Sequence, residues 1–159
     1  MCLVEKIVLL PFFIMKKLKG YIDRLKKATP DVQQEALKKI LDDNKSFMVG
    51  LIQDQLMAGY DAEGQQLEPY QSEEYAAFKR TLNPRGVTDL KLTGRFHRSI
   101  FADTSGSLVK FGATDSKTPE LLAKYGNILN LTEESKELLV TLRFGPAAIR
   151  WYKKLYSFR

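Results

Sequence analysis

The spacing of hydrophobic and polar residues predicts helices over most of the chain and one β-hairpin after its midpoint. A stripe with helical period begins after Pro30 and continues to Gly59, and a polar residue, Asn44, interrupts it. Its apolar positions are Leu37, Ile40, Leu41, Phe47, Met48, Leu51, Ile52 and Leu56. One continuous helix here would have about 28 residues and a length of roughly 42 Å. We expect a helix of this length to span the whole body or to project toward a partner.

Local capping signals predict where the helices begin and end. Thr29, Ser72 and Thr132 each precede a proline or acidic residues that are typical of a first helical turn. A further helix is predicted from the Thr-Pro-Glu sequence at 118–120 to the glycine at 126. Pro146 is expected to kink or break the last helix, because proline removes a backbone donor and clashes with the preceding turn.

Two short β-prone runs predict a hairpin. They are Ile100–Asp103 and Leu108–Gly112, separated by Thr-Ser-Gly-Ser. A lone two-stranded hairpin is marginal in water, so it must lie against the long helix or join a neighbour's sheet. The sequence therefore predicts an α+β fold in which a long N-terminal helix packs on a small antiparallel hairpin, followed by a helical C-terminal segment. We assign residues 16–159 to a single domain with a helical tail from about residue 130.

Residues 1–15 are predicted to form an apolar extension or arm. Residues 7–15 carry no charge, but they are about half as long as the roughly 20 residues that span a bilayer, so no membrane span is expected. A signal peptide is disfavoured because the positive charges follow the apolar stretch. Three interpretations stay open: an arm that docks on another subunit, an interfacial anchor, or an extension upstream of a functional start at Met15. An amphipathic pattern directly after Met15 (Leu18, Tyr21, Ile22, Leu25) favours the third.

The rare residues exclude much of enzyme chemistry. The chain has one cysteine, Cys2, and one histidine, His97, so internal disulfides and cysteine-based zinc sites are excluded and a cytoplasmic protein is the default. His97 is interpreted as a surface or packing histidine, because no orienting carboxylate or nucleophile marks it as a general base. A calcium loop starting at Asp61 would need glycine and glutamate where Gln66 and Ser72 stand. We expect no catalytic centre, no cofactor and no metal.

The net charge of +6 conceals segments of opposite sign. The stretches Lys16–Lys27 and Lys79–Arg98 are basic, Gln53–Glu74 contains acidic residues without any basic one, and no acid follows Glu137. These segments are either ordinary solvated faces or surfaces that meet neighbouring subunits plus to minus. The acidic block disfavours a continuous nucleic-acid stripe.

The C-terminal segment mixes aromatic and basic side chains. Trp151, Tyr152, Lys153 and Lys154 could form a packing face or subunit interface, or they could stack on bases of a nucleic acid. The interface interpretation is favoured, because aromatic residues at helical spacing usually pack against protein.

The order of four segments resembles the tailed-phage virion morphogenesis proteins, which include tail completion and head–tail joining subunits. The segments are the turn from Gly59 to Tyr70 (GYDAEGQQLEPY), the helix YAAFK from Tyr75, the stretch LTGRFHRSI from Leu92, and the strand ending VKFG at Gly112. They cover roughly a third of the chain. The sequence departs from the family pattern at Tyr70, at Phe96 and after the hairpin, which indicates a distinct subgroup or another position in the virion.

The resemblance implies a structural protein of a phage or prophage that joins or completes the tail as a homo-oligomeric ring. Its partners would be copies of itself and other head, neck or tail proteins, and its location the virion, assembled in the host cytoplasm. No enzymatic activity is implied. The family pattern implies structural roles for Gly59, Asp61, Gly64, Leu67, Pro69, Tyr75, Leu92, Thr93, Gly94, Ser99, Ile100 and Gly112. From Leu92 to Ile100 it implies a hinge and core segment in which Gly94 permits close backbone approach. The alternative function is a small basic nucleic-acid-binding module that uses the C-terminal segment.

Overall fold

Helices and one small antiparallel sheet make up the structure, a computed structural model that describes residue 26, residues 28–105 and residues 108–156. The elements are α1 Pro30–Asp43, α2 Lys45–Met57, α3 Glu73–Leu82, α4 Arg95–Ser99, β1 Ile100–Ser105, β2 Leu108–Ala113, α5 Thr118–Tyr125, α6 Glu133–Leu139, a π-helical segment Val140–Phe144, and α7 Gly145–Tyr156. The predicted α+β fold is confirmed. The predicted N-terminal extension, the amphipathic pattern after Met15 and the hairpin residues 106–107 lie outside the described residues.

The predicted long helix is two helices, and Asn44 separates them. Its backbone leaves helical geometry, with φ of −112° and ψ of 7°. The backbone N–H of Asn44 donates to Leu41 O at 3.1 Å, and its side-chain amide donates to Ile40 O at 2.7 Å. The side chain thereby replaces the bond that the backbone would supply to Ile40 in a continuous helix, since side-chain hydrogen bonds of asparagine compete with helical ones.

The predicted helix starts are confirmed. Thr29 Oγ1 accepts from Val32 N at 3.4 Å, Ser72 Oγ from Tyr75 N at 3.3 Å, and Thr132 Oγ1 from Ser135 N at 3.1 Å. Each hydroxyl satisfies a donor that the first helical turn leaves without a partner. These starts are local properties of the sequence.

The hairpin lies against the two N-terminal helices. β1 and β2 pair antiparallel, with Ile100 opposite Ala113 and Ser105 opposite Leu108, and β1 packs on α2 and α1. The Thr104 hydroxyl on β1 donates to the Asp42 carboxylate at the end of α1. The core combines α2, the α4–β1 junction and the segments after α5; its buried members are Met48, Ile52, Leu56, Leu67, Phe96, Ile100, Ile128, Leu129, Leu131 and Leu139.

The C-terminal helical run continues through Pro146 without a break, but its geometry becomes π-helical in the turn before the proline. A π-helical segment, Val140–Phe144, immediately precedes Gly145 and Pro146, and the N–H of Gly145 bonds to Val140 O. In this wider turn, backbone N–H groups bond to carbonyls five residues earlier. The hydrogen-bond pattern therefore changes just before Pro146, which has no N–H to donate. Neither this run nor any other helix in the described part of the chain is long and apolar enough to cross a membrane.

Candidate functional site

A loop that no motif marks, Val87–Lys91, holds the family-like segments together. A Cβ on Gly59 would lie 2.8 Å from Val87 Cβ, so the Gly59 turn rests directly on this loop. The Thr88 hydroxyl donates to Glu68 O at 2.7 Å. The next residue, Asp89, connects the loop to α3 and α4.

Asp89 lies at the centre of a buried polar network. Its carboxylate accepts from Lys79 Nζ at 2.7 Å, from Asn83 Nδ2 at 3.0 Å and from the Tyr70 hydroxyl at 3.2 Å. Lys79 Nζ also donates to Lys91 O at 2.6 Å. Both charged side chains are almost fully inaccessible to solvent. Breaking a buried ion pair of this kind leaves an uncompensated charge, so the network tightly couples α3 to the loop.

Burial and hydrogen bonding act in opposite directions on Asp89. Burial by itself would raise the pKa of its carboxyl, but the donors Lys79, Lys91 N and Asn83 hold that pKa below its usual value. For Tyr70, burial and the neighbouring Asp89 carboxylate both raise the pKa of the hydroxyl. Both shifts favour one fixed protonation pattern, an ionised carboxylate that accepts from a neutral phenol.

His97 is a packing histidine. Its side chain is buried, its Nε2 lies 2.8 Å from the backbone carbonyl of Asp89, and its own carbonyl accepts from Gln53 Nε2 at 2.8 Å. Since a carbonyl only accepts, Nε2 carries the proton. Burial lowers the pKa of the ring. His97 therefore joins α4 to α2 and to the loop in its neutral form.

Leu90 is the residue at which the loop reverses direction. Its φ is 50°, a left-handed conformation that bulky residues rarely adopt. The reversal lets Lys91 N donate to Asp89 Oδ1 at 3.0 Å. Its half-buried side chain packs against the hydrophobic core, which offsets the backbone strain.

The basic block proposed for Lys79–Arg98 requires a correction. Lys79 is only 2% exposed, so its charge is neutralised inside the molecule and contributes nothing to a surface that a partner could contact. The sequence signal that could have identified this pair is that Asp89 is the single acid in the block.

The turn after α2 has the structure that its sequence predicts. Asp61 Oδ1 accepts from Glu63 N at 3.0 Å and from Gln65 N at 2.7 Å, while Gly64 takes a φ of 75°. Leu67 then enters the core and Pro69 is exposed. The turn is a rigid structural feature, and the described residues contain no group of three or more metal-ligating side chains.

The segment from Leu92 to Ile100 only partly matches its expected role. Phe96 and Ile100 are buried as expected, and Ser99 Oγ donates to Phe96 O at 2.8 Å. Leu92, however, is 53% exposed and does not belong to the core. Gly94 is required for its φ of 75° at the start of α4; the expected close backbone approach is wrong, since a Cβ there would meet side-chain atoms of Arg98 and Lys91 and no backbone atom. Thr93 is exposed, and its hydroxyl accepts from Arg95 N at 3.4 Å.

Gly112 makes room for an aromatic ring. It pairs with Phe101 across the hairpin, and a Cβ on Gly112 would lie 2.7 Å from Phe101 Cζ. The ring therefore covers the glycine. Tyr75, the remaining motif residue, packs edge-on against Tyr70 with ring centroids 4.9 Å apart.

The C-terminal candidates include two aromatic rings in contact: Trp151 packs edge-on against Tyr152, with ring centroids 4.8 Å apart. Trp151 is half-buried and, with Ala147 and Arg150, lines a cleft against α1. Tyr152 is 45% exposed and stacks on Tyr156, and the side chains of Lys153 and Lys154 reach solvent. Trp151 therefore lies between the cleft and Tyr152, while the other three predicted residues are exposed.

Seven of the thirteen exposed large apolar side chains among the described residues lie on the C-terminal run or the hairpin. Leu138, Val140, Leu142, Ile149 and Tyr152 are exposed along the run, as are Phe101 and Leu108 on the hairpin. Contiguous patches of exposed apolar side chains are typical of surfaces that bind other proteins.

The fold defines an α+β protein whose polar interior has a structural role. Comparison with protein-family models, with curated proteins and with solved structures found no match.

Proposed function

We propose that this chain is a structural virion assembly protein of a tailed phage or prophage, acting at the neck, in head–tail joining or in tail completion, as a subunit of a homo-oligomeric ring. The sequence resemblance between Gly59 and Gly112 supports the proposal. The observation that carries it is the exposed apolar surface on the C-terminal run and the hairpin, because a subunit presents such side chains to its neighbours.

The internal contacts of Asp89, and of Lys79 and His97 from the resembling segments, are consistent with a structural role. Asp89, Lys79 and His97 satisfy one another and the backbone within the fold. No buried side-chain nitrogen or oxygen among the described residues lacks a hydrogen-bond partner. The motifs then maintain a rigid body, and the outer surfaces carry the function.

Solution mass tests the proposal. Light scattering of the full chain should give a mass several times that of the 18.2 kDa protomer, either alone or after mixing with the head and tail proteins encoded beside it. A strict monomer that binds none of those proteins would contradict the proposal.

The nucleic-acid alternative rests on the solvent-facing side of α7, where Tyr152 and Lys153 are both exposed. It expects salt-dependent DNA or RNA binding that weakens in a Tyr152→Ala, Lys153→Ala variant. Unchanged binding in that variant, or no binding by the native chain, would remove this alternative.

A further inference from the structure

The C-terminal helical run is electrically polarised along its length. Its acidic residues, Glu133, Glu134 and Glu137, all lie in α6 together with one lysine, Lys136, and its charged residues from Arg143 onward are all basic. The run therefore has an acidic beginning and a basic end.

The acidic end forms one wall of a groove of about 1060 Å³. α2 and the turn that follows it form the other walls. The charged residues that line the groove are Asp54, Glu63, Glu133, Glu134 and Lys136, and Lys136 is already paired with Glu133 at 2.6 Å. Leu51, Ala58 and the exposed Leu138 supply apolar lining. A complementary ligand is apolar on its contacting face and positively charged around it.

The basic end carries such a surface. Ile149 is 56% exposed and Tyr152 is 45% exposed, and their spacing of three residues places them on one side of α7. Lys153 is exposed beside them. Ala147 and Trp151, on the other side of α7, line a cleft with α1, whereas Ile149 and Tyr152 are exposed to solvent.

The helix cannot bring its own basic end to its own groove. From Glu134 to Trp151 the run is continuously helical, which separates the two by roughly 25 Å at about 1.5 Å per residue. Any contact between groove and α7 is therefore a contact between two molecules.

We propose that the Ile149–Tyr152 side of α7 docks in the acidic groove of a second copy of this chain. The inference rests on the proposed function and specifies the contact between subunits. Because two different surfaces meet, the contact is head-to-tail and generates a closed ring when the rotation closes. Charge complementarity fixes which end meets which, since a reversed pairing would place like charges together.

Two charge reversals test the contact in the full chain. Asp54→Lys makes the groove more basic, and Lys153→Glu makes the docking helix more acidic. Each variant alone should self-associate at least tenfold more weakly than the native chain in sedimentation or light scattering. An equimolar mixture should recover assembly, because the reversed charge at position 54 of one variant can then lie opposite the reversed charge at position 153 of the other, while the second contact keeps both native charges.

Matched reversals at exposed positions away from both surfaces serve as controls. Glu68→Lys repeats the charge change of Asp54→Lys, and Arg85→Glu repeats that of Lys153→Glu; both should assemble as the native chain does. Circular dichroism of all four variants confirms that they fold.

The possible failures are distinguishable. A native chain that assembles while both reversals assemble equally well would overturn this contact and leave the proposed function standing. A native chain that is monomeric alone but binds other virion proteins would also overturn this contact and leave the proposed function standing. A Lys153→Glu variant that loses DNA binding but assembles normally would do the same. A monomer that binds no virion protein would contradict the proposed function itself.

Discussion

Lys79 belongs to a basic stretch in the sequence, but in the structure it is not part of a basic surface. In the sequence it stands among basic neighbours, and in the fold it is the buried partner of Asp89. Asp89 is the single acid of the basic block, but a separation of ten residues does not by itself bring the two side chains together. The contact exists because α3 and the Val87–Lys91 loop pack side by side.

Replacing Lys79 should strongly destabilise the protein, because its side chain is the buried partner of Asp89. In Lys79→Met the hydrocarbon stem is retained but the Asp89 carboxylate loses its cationic donor, so we expect a loss of about 3–5 kcal/mol in the free energy of unfolding. Urea denaturation measures it. Lys38→Met on the exposed side of α1 is the control and should change stability by less than about 0.5 kcal/mol. A Lys79→Met effect as small as the control's would show that the pair is not formed in solution.

The free energy of unfolding should decrease in two stages as the pH is lowered, because two buried groups have pKa values below their ordinary ones. The pKa of His97 is below its ordinary 6.5, so as the pH falls the unfolded chain binds a proton at this residue before the folded chain does. The His97 contribution is complete above that value and is lost as pH falls toward the folded-state pKa. The contribution of Asp89 is complete above its ordinary 3.8 and is lost as pH falls through its lower folded-state pKa.

Chemical denaturation at a series of pH values measures this dependence. Each group contributes a slope of at most about 1.4 kcal/mol per pH unit. The variant His97→Gln keeps an N–H donor but cannot titrate, so the first stage should disappear and the second should remain. A first stage that persists in His97→Gln would assign it to another group.

At the scale of the elements, one side chain, Asn44, ends helix α1 within an apolar stripe that continues into α2. The stripe predicts one helix, since its spacing does not change at Asn44. The interruption depends on whether the Asn44 side chain or its backbone bonds to Ile40 O, and the side chain does so at 2.7 Å. The break ends α1 at Asp43, beside the Asp42 carboxylate that accepts from Thr104.

Removing that side-chain donor tests the break. Asn44→Ala leaves Ile40 O without its partner, while alanine's better helix propensity recovers part of the loss, so unfolding should require about 0.5–1 kcal/mol less. Thermal or urea unfolding measures the change, with Gln34→Ala on the exposed face of α1 as the control. A variant more stable than the native chain would mean that one continuous helix is the preferred structure.

For the whole molecule, the arrangement of charge should govern assembly. A head-to-tail contact between a basic helix and an acidic groove weakens as salt shortens the screening length from about 10 Å at 0.1 M to about 3 Å at 1 M. We therefore expect the average mass in light scattering to fall as sodium chloride is raised over that range. Circular dichroism over the same range should stay constant. A mass that rises with salt would indicate that apolar burial alone drives assembly.

Local chemistry predicted much of the fold. The caps at Thr29, Ser72 and Thr132 depend on residues within a few positions of one another, and the hairpin joins two β-prone runs that follow each other in the sequence, so their patterns are sufficient to predict them. The overall α+β class followed from the same signals.

Contacts between distant segments required the tertiary structure. The burial of Lys79, the neutral state of His97 and the exposure of Leu92 depend on how the Val87–Lys91 loop packs between α2, α3 and α4. Packing also decided that Trp151 faces α1 while Tyr152 faces solvent. A one-dimensional pattern specifies which residues are apolar or charged, but only the packing of elements determines which of them remain available to a neighbouring molecule.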